Sequence, residues 1–265
     1  MAVPIPARSG STLVPVADRL WQLEPWMPGV ADFHNDPSRI RLRAAVGCLA
    51  SWHTSSATFE ASKEERRWFL CQAAAPSPAV RERADWIQHW QQRGCDALRR
   101  SLATADRDEL HALSEQTLRL FEQAAPSVAA ELSRMSQMRF RLQPCLRDIW
   151  HDHVLFSGDD VTGLIDASAC RHENVATDLA RLLGSLVGDD AAAWNFAIDA
   201  YQAHRSLSAE EQRLVGVLDR SSVLLSGLYW LQRLYLSSRS VPQIDRVLEL
   251  LRVLLVRLET LVARI

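Results

Sequence analysis

Lysine is almost absent: Lys63 is the sole one in 265 residues, so the basic residues are arginine nearly throughout. Glycine is sparse too, ten in all, and only Gly10 precedes Gly29, which leaves no G-x-G-x-x-G early in the chain to cradle phosphates. The five cysteines, at 48, 71, 95, 145 and 170, contain no C-x-x-C pair. That argues against a zinc knuckle, and their odd number argues for reduced thiols over a disulfide framework. A net charge of −2 supplies no basic stripe for a phosphate backbone, so no nucleic-acid partner is expected. Long apolar runs are also lacking. MAVPIPARSGS has no apolar core for a signal peptide, and Arg252, Arg257 and Glu259 interrupt the leucine-rich C-terminal run before it could span a bilayer. These features predict a cytoplasmic protein with no membrane partner. No internal repeat or low-complexity tract is present, and nothing in the sequence sets an oligomeric state.

What the chain has is 48% hydrophobic residues, ample to bury a core at a length that suits one domain or two small ones. Its most informative stretch is residues 144–166, PCLRDIWHDHVLFSGDDVTGLID. Two apolar runs, 154–156 and 161–165, flank turn-forming residues 157–160, a pattern that predicts a β-hairpin. Asp148 precedes the first strand and Asp166 follows the second, so closing the hairpin brings two distant carboxylates to one end of it. That geometry suits phosphoryl transfer, where one carboxylate orients a hydroxyl and another holds the metal on the nucleotide phosphates. A strand-turn-strand with an acid at each end also occurs in many folds without chemistry.

The spacing sharpens the reading. Leu146-Arg147-Asp148, four residues and then His153 has the layout of the kinase catalytic loop H-R-D-x-x-x-x-N. Asp166 then stands where D-F-G has its metal-holding Asp, although Ala167 and Ser168 follow it. Continued through Asp178-Leu-Ala-Arg-Leu-Leu, the stretch resembles the aminoglycoside phosphotransferase and choline kinase family of small-molecule kinases, whose wording is close to HGDLHPGNVLF, then VTGVIDF, then YDLARLL. This chain departs from the family at Leu146 and Trp150, where the family has His, and at His153, where it has a metal-binding Asn.

The resemblance implies an α+β, mostly helical fold, the C-terminal lobe of a protein kinase-like architecture with a small remnant of the N-terminal β lobe. It implies ATP and magnesium, with manganese as an alternative, and a small-molecule hydroxyl acceptor seated among the helices between Ala31 and Met135. Asp148 would orient and deprotonate that hydroxyl, Asp166 would hold the magnesium, and His153 would add a weaker second contact. Asp178 would accept hydrogen bonds from catalytic-loop backbone N–H groups, with simple charge complementarity at a helix N-terminus as the competing account. Residues 20–29, LWQLEPWMPG, resemble the family's segment joining the lobes, which would place Glu24, Trp26 and Met27 beside the nucleotide. The alternative is a strand ended by Pro25 and Pro28, with Trp21 and Trp26 as packing anchors. On this division residues 1–29 are remnant strands and linker, and residues 30–265 are the helical lobe with the catalytic hairpin. The family's glycine-rich hairpin, phosphate-holding Lys and Glu-bearing helix precede the linker, whereas here only about twenty residues do. A noncatalytic kinase-like module that binds a small molecule or a protein is therefore the rival to a phosphotransferase.

Elsewhere apolar runs at 3–5, 12–16 and 20–23, with a turn at 8–11, predict two or three small antiparallel strands, followed by a helix capped by Asp36 and Pro37 and running to His53. Ser62 with Glu65 is a capping-box signature for a short helix. Ser77-Pro78 opens a helix to about Leu102 with Gly94 as a weak point, Asp106 starts another, and Pro126 separates it from a fifth. The spacing then predicts a strand over 140–145, an irregular connection over 167–176, and helices over 177–187, 191–204, 209–236 and 241–264. His89 and His111 have no partner at metal-ligand spacing, and the many Trp residues read as packing. His151-Asp152-His153 looks like a metal cluster, and strand alternation would let both His residues point the same way. Imidazole at position 153 would weaken magnesium and shift preference toward manganese or zinc.

Overall fold

Among the described residues, 1–105, 108–237 and 244–265 of a computed structural model, eight α-helices surround a few short strands. The fold is α+β and mostly helical.

The N-terminal strands are β1 (Val14–Val16) and β2 (Arg19–Trp21), paired antiparallel. Their turn is Ala17-Asp18, with φ of 49° and 60°, the left-handed backbone that a two-residue hairpin requires. The segment 3–5 forms no strand, although Ile5 N–H bonds the Leu23 carbonyl at 2.8 Å and Ala7 N–H closes the expected turn onto Ser11 at 2.9 Å. Both strands are exposed along their length, and Trp26 beyond them is 97% exposed, so it anchors no packing.

The chain then enters α1 (Arg39–Ser56). Its cap is Ser38, whose hydroxyl accepts from Arg41 N–H at 3.1 Å, and not Asp36. Asp36 instead offers its carbonyl to the Arg41 guanidinium at 2.7 Å. Ser62 and Glu65 do form a capping box, but it opens only a 3-10 turn, Glu65–Arg67, because Trp68 to Leu70 leave the helix for β3 (Gln72–Ala75). Ser77 and Pro78 open α2 (Pro78–His89) as the cap and first residue. At Trp90–Gly94 the helix widens into a π turn before α3 (Cys95–Leu102). Gly94 permits this, since a Cβ there would lie 2.4 Å from the buried Trp90 ring.

Asp106 lies outside the described residues; the next helix, α4 (Glu109–Ser136), is capped by Asp108. It runs straight through Pro126, where the sequence predicts a break. Ala124, Ala125 and Val128 are wholly buried around that proline, so tertiary packing outweighs the missing donor. β4 (Phe140–Cys145) follows, then a 3-10 turn at His151–His153, β5 (Val154–Ser157) and β6 (Asp160–Leu164), a hairpin closed by Gly158 at φ 60°. The connection after it is not wholly irregular. It contains β7 (Arg171–Glu173), which pairs antiparallel with β4 while β3 pairs with the other edge.

The remaining helices are α5 (Ala176–Val187), α6 (Ala191–Gln202), α7 (Ala209–Tyr235) and α8 (Ile244–Val262). The predicted start of α8 at Val241 lies outside the described residues. By length and hydropathy α7 alone among the described helices could cross a bilayer, but it is the central helix of this bundle and buries Leu214, Leu218, Leu224, Leu228 and Leu231 against its neighbours. The five cysteines are free, with Cys95 and Cys145 buried.

Candidate active site

Asp178 organises the site. Its side chain is wholly buried in the first turn of α5, and its two oxygens accept from the backbone N–H of Leu146 at 2.7 Å and of Arg147 at 2.6 Å. Two charge-assisted bonds to successive amides hold the loop that carries Asp148, and they hold Arg147 at φ 64°. A non-glycine residue in that backbone region costs roughly 1–3 kcal/mol and persists where its surroundings over-determine it. Asp166, at φ 57°, is the second such residue in this region.

His53, to which sequence reasoning assigned no role, completes the clamp. It is wholly buried on α1, with Nε2 3.0 Å from Asp178 Oδ2 and Nδ1 2.8 Å from the Tyr201 hydroxyl on α6. Burial lowers its pKa against the pull of Asp178. The signal was its position: His53 continues the spacing of Val46, Leu49 and Ala50 on the buried face. His53, Cys145 and Asp178 bring potential ligand atoms within 4.8 Å of one another, yet both imidazole nitrogens and both carboxylate oxygens are already engaged, and burial pushes the Cys145 thiol well above its usual range. The cluster is a hydrogen-bond hub and not an ion site.

Asp148 leaves the clamp half exposed, and Arg181 of α5 donates to its Oδ1 at 2.7 Å. His153 connects the two acids. Its Nδ1 lies 2.7 Å from the Asp148 carbonyl, and its Nε2 lies 3.9 Å from Asp166 Oδ2. Asp166 is also half exposed; the hydroxyl and N–H of Ser168 bind its Oδ1 at 2.6 and 3.2 Å and hold its pKa below the usual value. His153 thus bridges the main chain of Asp148 and the carboxylate of Asp166 at the base of the β5–β6 hairpin. The residues 151–153 form a turn and not an alternating strand, so His151 goes elsewhere: its backbone N–H binds Ser185 of α5, and its ring stacks edge-on against His34 at 4.4 Å.

The hairpin is seated from two sides. Arg41 of α1 pairs with Asp32 and lays its guanidinium 4.2 Å from the centre of the Phe156 ring. On the other side Val30 pairs with Phe156, Thr162 Oγ1 donates to the Pro28 carbonyl at 2.5 Å, and the Met27 side chain covers Gly163. Of the three linker residues singled out in the sequence, Met27 touches the hairpin, while Glu24 and Trp26 face outward.

Glu173 has no local signal in the sequence for its role. Wholly buried at the end of β7, it accepts from Ser77 Oγ at 2.7 Å and Ala79 N–H at 2.6 Å, capping α2 from across the fold.

As a donor set, Asp166 offers an oxygen suited to a hard divalent cation. His153 fits less directly, since its Nε2 accepts the Trp150 indole N–H at 2.8 Å.

Residues 2–219 match the profile of the phosphotransferase enzyme family. The chain belongs to that family. A homoserine kinase of Rhizobium etli (strain CIAT 652) is 33% identical over 93 residues, a match that takes in 33% of this chain and only 28% of that protein. Among solved structures, an aminoglycoside phosphotransferase from Alicyclobacillus acidocaldarius superposes with a TM-score of 0.66 at 15% identity, over 99% of this chain and 76% of that one. A spectinomycin phosphotransferase, solved with ADP and spectinomycin, gives 0.65 at 12% identity, over 98% and 77%. At those identities the superpositions show the fold, the protein kinase-like fold expected from the sequence.

Proposed function

We propose that this phosphotransferase-family chain moves the γ-phosphoryl of ATP onto a hydroxyl of a small molecule. The observation that carries the reading is the Asp178 clamp on the Leu146 and Arg147 amides, which fixes the loop of Asp148 while His153 reaches from the Asp148 carbonyl toward Asp166. Asp148 orients the acceptor hydroxyl and takes its proton. Asp166 would hold magnesium or manganese, with His153 as a second contact, and the ion would supply positive charge to the phosphates. Met27, with Glu24 and Trp26 ahead of it, borders the nucleotide at the seam between residues 1–29 and the helical lobe of residues 30–265. A cytoplasmic setting, with its ATP and reducing environment, agrees with five free thiols.

The test is magnesium-dependent release of ADP from ATP by the purified chain across a panel of hydroxyl acceptors, including homoserine and spectinomycin. Turnover lost in Asp148→Asn and Asp166→Ala supports the assignment. The second reading, a noncatalytic binding module, is favoured by the occupied Nε2 of His153 and by the lone Lys63, which sits beside the exposed 3-10 turn. Undetectable nucleotide binding with either magnesium or manganese would select it.

A further inference from the structure

Arg181 sits one turn after Asp178 on α5, so both side chains reach the catalytic loop from one rigid helix face. Its guanidinium holds Asp148 by a single Nη2 contact, and its Nε is enclosed without an acceptor. Of the other arginines nearby, Arg147 pairs with Glu82, though its Nε also lacks an acceptor, and Arg83 donates to the Ser222 hydroxyl at 2.9 Å. A half-exposed pair such as Arg181 and Asp148 contributes little to stability, about 0–1 kcal/mol, so holding the fold together is a weak account of its presence.

We propose that Arg181 binds the phosphoryl group in transit, supplying the positive charge that this lysine-poor chain does not offer from a lysine at this loop. The assignment rests on the phosphotransferase reading. The half-exposed Nη end of this planar fork matches two phosphoryl oxygens, and charge on the transferring group is spread over three. The acceptor oxygen bonds to Pγ as the bond from Pγ to the bridging oxygen breaks. ADP leaves with that electron pair, the hydroxyl proton passes to the Asp148 carboxylate, and Arg181 stays protonated throughout. Pairing with Asp148 keeps the guanidinium placed before the nucleotide arrives, so little reorganisation accompanies transfer.

The experiment compares the full chain with Arg181→Gln and Arg181→Lys. Two readings are taken: slow Mg·ATP hydrolysis with water as acceptor, and the affinity for Mg·ADP with and without aluminium fluoride, a mimic of the planar phosphoryl. Arg181→Gln is expected to slow hydrolysis by about 100-fold or more, the scale for losing one stabilising donor. It should leave ADP affinity within about twofold and abolish the fluoride-dependent tightening. Arg181→Lys restores part of both and carries the test if the Gln variant folds poorly. Hydrolysis and fluoride tightening in both variants within about twofold of the unsubstituted chain overturn the role of Arg181 while leaving the phosphotransferase standing. An unsubstituted chain that binds no ADP removes the phosphotransferase reading and this assignment with it.

Discussion

Trp150 donates its indole N–H to Nε2 of His153 at 2.8 Å, occupying the ring nitrogen that faces Asp166. Trp150→Phe keeps an aromatic ring beside His151 and His153 and removes that donor. A neutral hydrogen bond has a net worth of about 1 kcal/mol. The variant should therefore bind Mn2+ or Zn2+ roughly fivefold more tightly by calorimetry. Equal affinities in the two proteins would place His153 outside the metal shell.

The Asp178 clamp makes a second prediction. In Asp178→Asn an amide presents one accepting oxygen where the carboxylate presents two, and its NH2 turns toward one of two backbone donors. Either Leu146 or Arg147 N–H is then left buried and unpaired, at roughly 1–3 kcal/mol. The left-handed backbone at Arg147 loses its support, so ATP turnover should fall further than ADP affinity. A variant with unchanged melting temperature and turnover would mean the clamp does not hold the loop.

The pH dependence of stability follows from His53. Its pKa is lowered in the folded protein by burial, while the unfolded chain takes up a proton near 6.5. Below that value the unfolded state binds the extra proton and the folded state resists it, so this contribution is present above about pH 6.5 and is lost as the pH falls toward the folded value. His53→Asn, which does not titrate, should flatten the melting temperature between about pH 7 and 5 at the expense of lower stability overall. A slope unchanged by the substitution would assign it to other groups.

The hairpin was legible because its turn residues and short apolar runs are local, and the spacing from Asp148 to His153 is local too. Asp178 was legible through the wording around it. His53, Arg181 and Glu173 were not, because each matters through a partner at least thirty residues away: Asp178, Asp148 and the α2 N-terminus. Pro126 misled for the same reason, since the core packing that keeps α4 continuous comes from other helices. β7 is three residues long and visible only through its pairing with β4. Local patterning reports the backbone's preferences, whereas polar side chains buried at a site are selected by what the fold brings to them.

Gly29 tests whether the linker's seat on the hairpin matters. Its φ is +99°, and a Cβ there would stand 2.3 Å from Thr162 Oγ1 and 2.6 Å from the Phe156 carbonyl oxygen. The hydroxyl can swing away, but the carbonyl belongs to the ladder that joins Val30 to β5 and cannot yield without breaking it. Gly10, at φ +83° with nothing within 4 Å, isolates the backbone cost alone. Gly10→Ala should cost roughly 1–2 kcal/mol for its left-handed backbone, and Gly29→Ala a further loss of similar size from the clash. If Met27 borders the nucleotide, Gly29→Ala should also weaken ADP binding. Equal melting temperatures for the two variants would show that the linker's contact with β5 and β6 adds nothing to the fold.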